Sequence, residues 1–210
     1  MSKRGIDVSK WNGYIQWDKV YASGIDFAII KAGGSDAGLY TDPRFEQNYK
    51  NCKNIGFPVG AYYFVGPKCI SAEDGVADAK RFLEMLKNKK FEYPVYLDFE
   101  APSPDTRRGN TEAAAAFCAY MEKFSYYVGI YASDISGLKE RLDIKKLDKY
   151  DIWVASYGAE PRYIKSFRSS YGMWQYTSSG SVNGITGNVD LDIAYYDFPK
   201  IMKTKHLNGF

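Results

Sequence analysis

The chain has 210 residues, 45% hydrophobic and 25% charged, which is the make-up of an ordinary globular protein in one domain. A net charge of +3 without a long lysine or arginine run leaves no footprint for nucleic acid. Three cysteines without a C-x-x-C spacing (Cys52, Cys69 and Cys118) argue against a disulfide framework or zinc site, and the sole histidine, His206, removes serine, cysteine and metal chemistry that depends on histidine. Any catalysis here must rest on carboxylates.

Met1 to Arg4 lead straight into a first predicted strand, residues 5–9, so neither a secretory leader nor a membrane-inserting segment is expected. A short helical pattern follows Trp17, then a strand over 27–32. Pro43 opens a second helix that Gly56 closes, and a strand follows over 59–65. Ser71 is the expected N-cap of a third helix reaching about Lys90, before the strand 94–100. Thr111 reads as the N-cap of a fourth helix, in which Ala113 to Ala116 have high helix propensity. Next come a strand over 127–132, a weaker helix over 135–142, and strands over 152–156, 173–176 and 189–195. A short helical piece lies near Arg162 and a Ser/Gly-rich loop covers 178–187. Most strands are continuous apolar or aromatic runs, as expected when both faces are covered. Strands alternating with helices imply a parallel sheet, and eight of them suggest a closed barrel whose last third is less regular. One domain is expected over 1–202, with 203–210 as a polar tail.

The stretch from Tyr93 to Glu100, Tyr-Pro-Val-Tyr-Leu-Asp-Phe-Glu, is the most informative. Side chains alternate along a strand, so Asp98 and Glu100 share a face, with Cα atoms roughly 6.5–7 Å apart. Two carboxyls so close push at least one pKa upward, and a protonated acid beside an ionised one is equipment for breaking a glycosidic bond. In β/α barrels the site lies at the carboxyl ends of the strands. Asp7 ends the first strand there, and Asp190 and Asp192 open the last, beside the first once the ring closes. The acids admit other readings: a hard-cation site, or loop caps for Asp192 and Asp7. Aromatic residues are in excess, with 19 Tyr, 12 Phe and 4 Trp. Tyr62, Phe64, Tyr131, Trp153, Tyr157 and Trp174 end or flank strands as core or as a sugar platform, and Gln175 is placed to bond a hydroxyl or N-acetyl group.

Taken in order, Gly5-Ile6-Asp7-Val8-Ser9-Lys10-Trp11, Phe27 to Ala32, Gly60 to Phe64, Tyr96 to Glu100, Tyr131-Ala132-Ser133, Trp153 to Tyr157, Trp174-Gln175-Tyr176 and Val189-Asp190-Leu191-Asp192 form a pattern. The chain resembles the glycoside hydrolase family 25 muramidases, the Chalaropsis-type lysozymes that include phage endolysin catalytic domains. The resemblance implies an irregular TIM-like α/β barrel of about five β/α units and three further strands, the last antiparallel. It implies hydrolysis of the β-1,4 bond between N-acetylmuramic acid and N-acetylglucosamine in bacterial peptidoglycan. Glu100 would be the general acid; Asp98, staying ionised, would stabilise charge or orient the substrate's own N-acetyl group. Asp7 and Asp190 would bind sugar hydroxyls and shape the field, while Asp192 and the aromatics would be sugar contacts. No cofactor or metal is implied, and a monomer acting outside the cell on the wall is expected, released by phage lysis, by non-classical export, or as a trimmed chain. Mild positive charge suits approach to an anionic wall. The sequence departs from the pattern at Gly33-Gly34, where relatives often carry an acid, and at Tyr63, where many have histidine. A chitinase-like glycosidase and a non-catalytic carbohydrate-binding barrel are the alternatives.

Overall fold

The computed structural model describes residues 2–167 and 170–210. Its strands are β1 (Lys3–Val8), β2 (Phe27–Gly34), β3 (Tyr40–Thr41), β4 (Val59–Phe64), β5 (Val95–Asp98), β6 (Val128–Ser133), β7 (Asp151–Ala155), β8 (Met173–Gly180) and β9 (Val189–Ala194). The eight predicted strands are all present, and two-residue β3 is an addition that hangs on the end of β2. The ring runs β1-β9-β8-β7-β6-β5-β4-β2 and closes through β1–β2 pairing. Seven strands are mutually parallel, while β9 is antiparallel to both β8 and β1. This is the irregular TIM-like barrel that the resemblance implied.

Each strand splits its residues between two cores. Ile6, Val8, Ala28, Ile30, Leu97, Ile130 and Val154 pack outward against the helices. Phe27, Ile29, Tyr62, Tyr96, Tyr131, Trp153 and Met173 fill the lumen, so the excess of aromatics is largely barrel filling. Glycines make that filling possible. A Cβ on Gly5 would lie 2.1 Å from the Phe27 ring, and one on Gly129 would lie 2.5 Å from the Tyr96 ring. Phe27 stacks on Tyr93 with centroids 4.0 Å apart, closing the floor.

The helices are α1 (Trp17–Ala22), α2 (Phe45–Asn54), α3 (Ala72–Leu86), α4 (Arg107–Glu122), α5 (Tyr163–Phe167) and α6 (Phe198–Lys205). Ser71 caps α3 by accepting from the Asp74 N–H, but the helix stops at Leu86 rather than near Lys90. Thr111 is not an N-cap. It sits one turn inside α4, where its hydroxyl donates to the Arg107 carbonyl at 2.8 Å and accepts from the Asp143 N–H at 2.9 Å. The weak helix expected over 135–142 is a π-helical turn, Asp134–Lys139. The polar tail is a further difference. Helix α6 runs into its first three residues, 203–205, and just ahead of them Phe198 and Met202 are buried under the barrel. Beyond α6, Asn208 is fully buried, donating to the Tyr93 carbonyl and accepting from the Tyr127 N–H, each at 2.8 Å.

Candidate active site

The acids singled out in the sequence gather toward the carboxyl end of the parallel strands, with Asp192 deepest in the barrel. The β5 ladder ends at Asp98, so Glu100 lies two residues past the strand rather than on it. The chain stays extended there, because the Phe99 N–H still bonds the Tyr131 carbonyl at 2.9 Å. Alternation therefore persists: Leu97 and Phe99 enter the outer core, Asp98 is buried in the lumen, and Glu100 is exposed at the mouth.

Asp7 and Asp190 are direct partners across the β1–β9 ladder, and Asp192 sits two positions deeper, opposite Gly5. Asp7 is buried and Asp192 wholly so. Their environment is specific. Gln175 on β8 donates its amide to Asp7 Oδ2 at 2.7 Å, and its carbonyl accepts from the hydroxyls of Tyr131 and Tyr157, each at 2.8 Å. Trp153 Nε1 donates to Asp192 Oδ1 at 2.8 Å. One oxygen of Asp98 and one of Asp192 are buried without a hydrogen-bond partner among the described residues.

The electrostatics follow from this crowding. Burial raises the Asp7 pKa well above the carboxylate range; Asp192 and Asp190 raise it further, and the Gln175 hydrogen bond opposes them. Burial also raises Asp192, against the Trp153 hydrogen bond, and Asp190, against its bond with Asp7. Asp98 is raised well above its ordinary value by burial and then by Glu100, with Lys31 opposing. Loss of hydration in the crowded mouth raises Glu100 as well, Arg141 lowers it, and Asp190 raises it again. The sequence reading put the raised pKa on Glu100 and left Asp98 ionised. Both are raised, each chiefly by burial.

Several expected sugar contacts have other places. Trp153 is 1% exposed in the lumen, edge-on to Tyr62 and against Tyr131, so it positions Asp192 and cannot meet a sugar. Trp174, opposite in pleat to Gln175, packs on the outer core and donates to the Ser156 carbonyl. Asp192 is out of reach of a ligand, and the Gln175 amide is occupied on both sides. Tyr62 and Tyr131 are largely buried under the mouth, Phe64 is half-buried, and Tyr157 is 54% exposed. Tyr63 does not reach the mouth: it is buried outside the barrel, its hydroxyl donating to Asp78 at 2.9 Å. A cleft of about 430 Å³ opens beside Glu100, walled by Ser133, Ile135, Ser156, Tyr157 and Arg162.

Two cations went unnoticed in the sequence. Lys31 Nζ lies 4.5 Å from the Phe64 ring centre and 5.7 Å from that of Tyr62. Arg141 is held near Glu100 by the carbonyls of Pro102 and Ser136. The pleat gave the signal for Lys31, which is in phase with lumen-facing Phe27 and Ile29. Among the described residues, no group of three or more acids, histidines or cysteines is arranged to hold a metal ion.

Residues 6–185 match the model of the glycosyl hydrolases family 25. The chain is 31% identical over 202 residues to Lysozyme M1 of Streptomyces globisporus, covering 89% of this chain and 66% of that protein's length. The crystal structure of the bacterial lysozyme from Streptomyces coelicolor superposes with a TM-score of 0.74 at 30% identity, covering 92% of both chains. The modular autolysin LytC of Streptococcus pneumoniae, solved with a synthetic peptidoglycan ligand, superposes with a TM-score of 0.78 at 29% identity; 92% of this chain matches 47% of that one.

Proposed function

The chain belongs to glycosyl hydrolase family 25, and on that premise we propose that it is a muramidase cleaving the β-1,4 bond between N-acetylmuramic acid and N-acetylglucosamine in peptidoglycan. The peptidoglycan ligand of LytC and the lysozyme names of the relatives support the substrate. We take the protein to act as a monomer on the wall. Among the described residues no helix is long and apolar enough to cross a membrane.

One observation carries the mechanism: Asp98 keeps a buried oxygen with no partner, beside a Glu100 that opens onto the cleft. A buried acceptor left unpaired is costly unless a ligand supplies the donor. The N–H of the substrate's acetamido group is such a donor. Bound to Asp98, the acetamido oxygen is aimed at the anomeric carbon as internal nucleophile. Glu100 then protonates the departing glycosidic oxygen, the C–O bond breaks, and an oxazolinium ion forms on the substrate, its positive N–H held by ionised Asp98. Water, deprotonated by Glu100, opens the oxazolinium ring with retention. Glu100 and Asp98 repel each other, so the pair tends to hold a single proton. The acetamido N–H favours ionised Asp98 once substrate is bound, which leaves that proton on Glu100. Asp7 and Asp190 meet sugar hydroxyls at the mouth, and Tyr62, Phe64, Tyr131 and Tyr157 line its walls.

The test is clearance of purified sacculi by the wild type and by Glu100→Gln, with mass spectrometry of the fragments. Loss of general-acid catalysis lowers the rate by about 10²–10⁴-fold. Wild-type fragments should end in reducing N-acetylmuramic acid; undiminished clearance by the variant would overturn the assignment of Glu100. Early product anomers read by NMR should be β, and clean inversion would remove the acetamido route.

A further inference from the structure

Outside the acid group, the rim of the mouth carries an exposed tryptophan beside an unpaired lysine. Trp11 is 83% exposed, the largest value among the big hydrophobic side chains of the described residues. It sits in the short turn Lys10–Asn12 that follows β1. That turn is fixed in place: Ser9 Oγ accepts from the Trp11 N–H at 3.3 Å, and Asn12 Oδ1 accepts from the Ser9 N–H at 2.9 Å. Asn12 also donates to the Asn188 carbonyl at 3.3 Å, just before β9. Asp42 receives the N–H groups of Lys10 and Arg44 on its two oxygens, at 3.0 and 2.9 Å. An indole carried into water on a backbone turn braced by this many bonds is presented rather than merely uncovered.

The Lys10 ammonium lies 4.8 Å from the Trp11 ring centre and 5.8 Å from that of Tyr40. It makes no ion pair among the described residues. The carboxylate nearest the Tyr40 edge, Asp36, accepts the Tyr40 hydroxyl at 2.8 Å, and backbone amides occupy both oxygens of Asp42. Rings on two sides orient the ammonium and leave its remaining donors to solvent. Lys31 also stands by Tyr40, 5.7 Å from the ring centre and close enough to act on Asp98. A ledge of alternating cations and rings thus runs from the acid pair to the rim. Lys10 is three residues beyond Asp7, about 10 Å of extended chain, which is the scale of a sugar and the first atoms of a substituent.

We propose that Lys10, set between Trp11 and Tyr40, binds a carboxylate of the peptide stem borne by the muramic acid, so that the wall is gripped by its peptide as well as its sugars. This rests on the muramidase reading. The stem hangs from the sugar that the acid pair addresses, and it carries free carboxylates.

The experiment measures co-sedimentation with sacculi in the Glu100→Gln background, which binds without lysis, so binding is read independently of catalysis. Native sacculi are compared with sacculi whose carboxylates have been amidated by carbodiimide and ammonia. Lys10→Gln should weaken binding to native walls about two- to fivefold, the scale of one solvent-exposed charge contact. Lys10→Arg should restore it, and amidated walls should abolish the difference. Lys50→Gln, an exposed change on α2, controls for net charge alone. The proposal is overturned if Lys10→Gln has no effect, weakens binding equally on both walls, or is matched by Lys50→Gln. Failure of the muramidase reading is separate: active protein would then release no reducing N-acetylmuramic acid from native walls.

Discussion

Asp192 combines complete burial with no access for a ligand, and its folded-state pKa is raised chiefly by that burial. A carboxyl raised on folding holds its proton more tightly in the native state. Stability contributed by the protonated form is present at low pH and is lost as pH rises from about 3.9, the unfolded value, through the higher folded value. Asp192→Asn keeps an oxygen for the Trp153 N–H and removes this loss. The variant should melt higher at pH 7, by about 2–4 °C for each kcal/mol recovered, with the gain vanishing near pH 4; scanning calorimetry at both pH values reads it. An equal gain at both would mean that the carboxyl charge is not the cause. The same residue marks what sequence could tell at this scale. The positions of the acids could be read because strand ends locate them. The duties of Trp153, Trp174 and Gln175 could not, because they depend on pleat phase and on partners supplied by other strands. Gln175 looks like a sugar ligand in isolation, and only the ring brings Asp7, Tyr131 and Tyr157 to saturate it.

Among the elements, strands were the more legible, since long apolar runs in β2, β4 and β6 meet cover on both faces. Helix boundaries were less so. Thr111 has the chemistry of a cap, yet α4 begins four residues earlier, after a 3₁₀ turn over Pro104–Thr106. Helix α6 was hidden by Lys200, Lys203 and Lys205, although Asp197 caps it and Phe198 and Met202 keep the four-residue spacing of a buried stripe. One connection governs the cleft wall. Buried Asp134, opening the π-helical turn after β6, accepts the N–H groups of Arg162, Tyr163 and Ile164 at 2.8, 2.8 and 2.9 Å. It ties the start of α5 to the end of β6, across the side of the mouth beside Glu100. Asp134→Ala frees three donors at once. It should cost about 1.5–3 kcal/mol, the scale of one hydrogen bond to a charged group left unmade, and raise KM on sacculi more than it lowers kcat. Urea titration and initial rates at varied substrate check both, and an unchanged KM would detach this wall from binding.

Over the whole molecule, the floor and the rim of the barrel depend on opposite ends of the chain. Below, Asn208 bonds the Tyr93 carbonyl, the Tyr127 N–H and the Ser125 carbonyl, and its own carbonyl accepts from the Phe91 N–H. Asn208→Ala strands two buried backbone groups and should cost about 2–6 kcal/mol. Activity per folded molecule should be unchanged, because the site lies at the other end; denaturant midpoints and rates on the soluble fraction separate the two effects. Above, β1 pairs with β9, the last strand made, and that seam brings Asp7 to Asp190. The consequence is one of timing. A ribosome has released β1, β5 and their acids long before it completes β9, so a growing chain carries Glu100 but not the finished constellation. The last strand of the ring is what completes the acid cluster, so a chain cut before Asp190 carries Asp7 without its cross-strand partner.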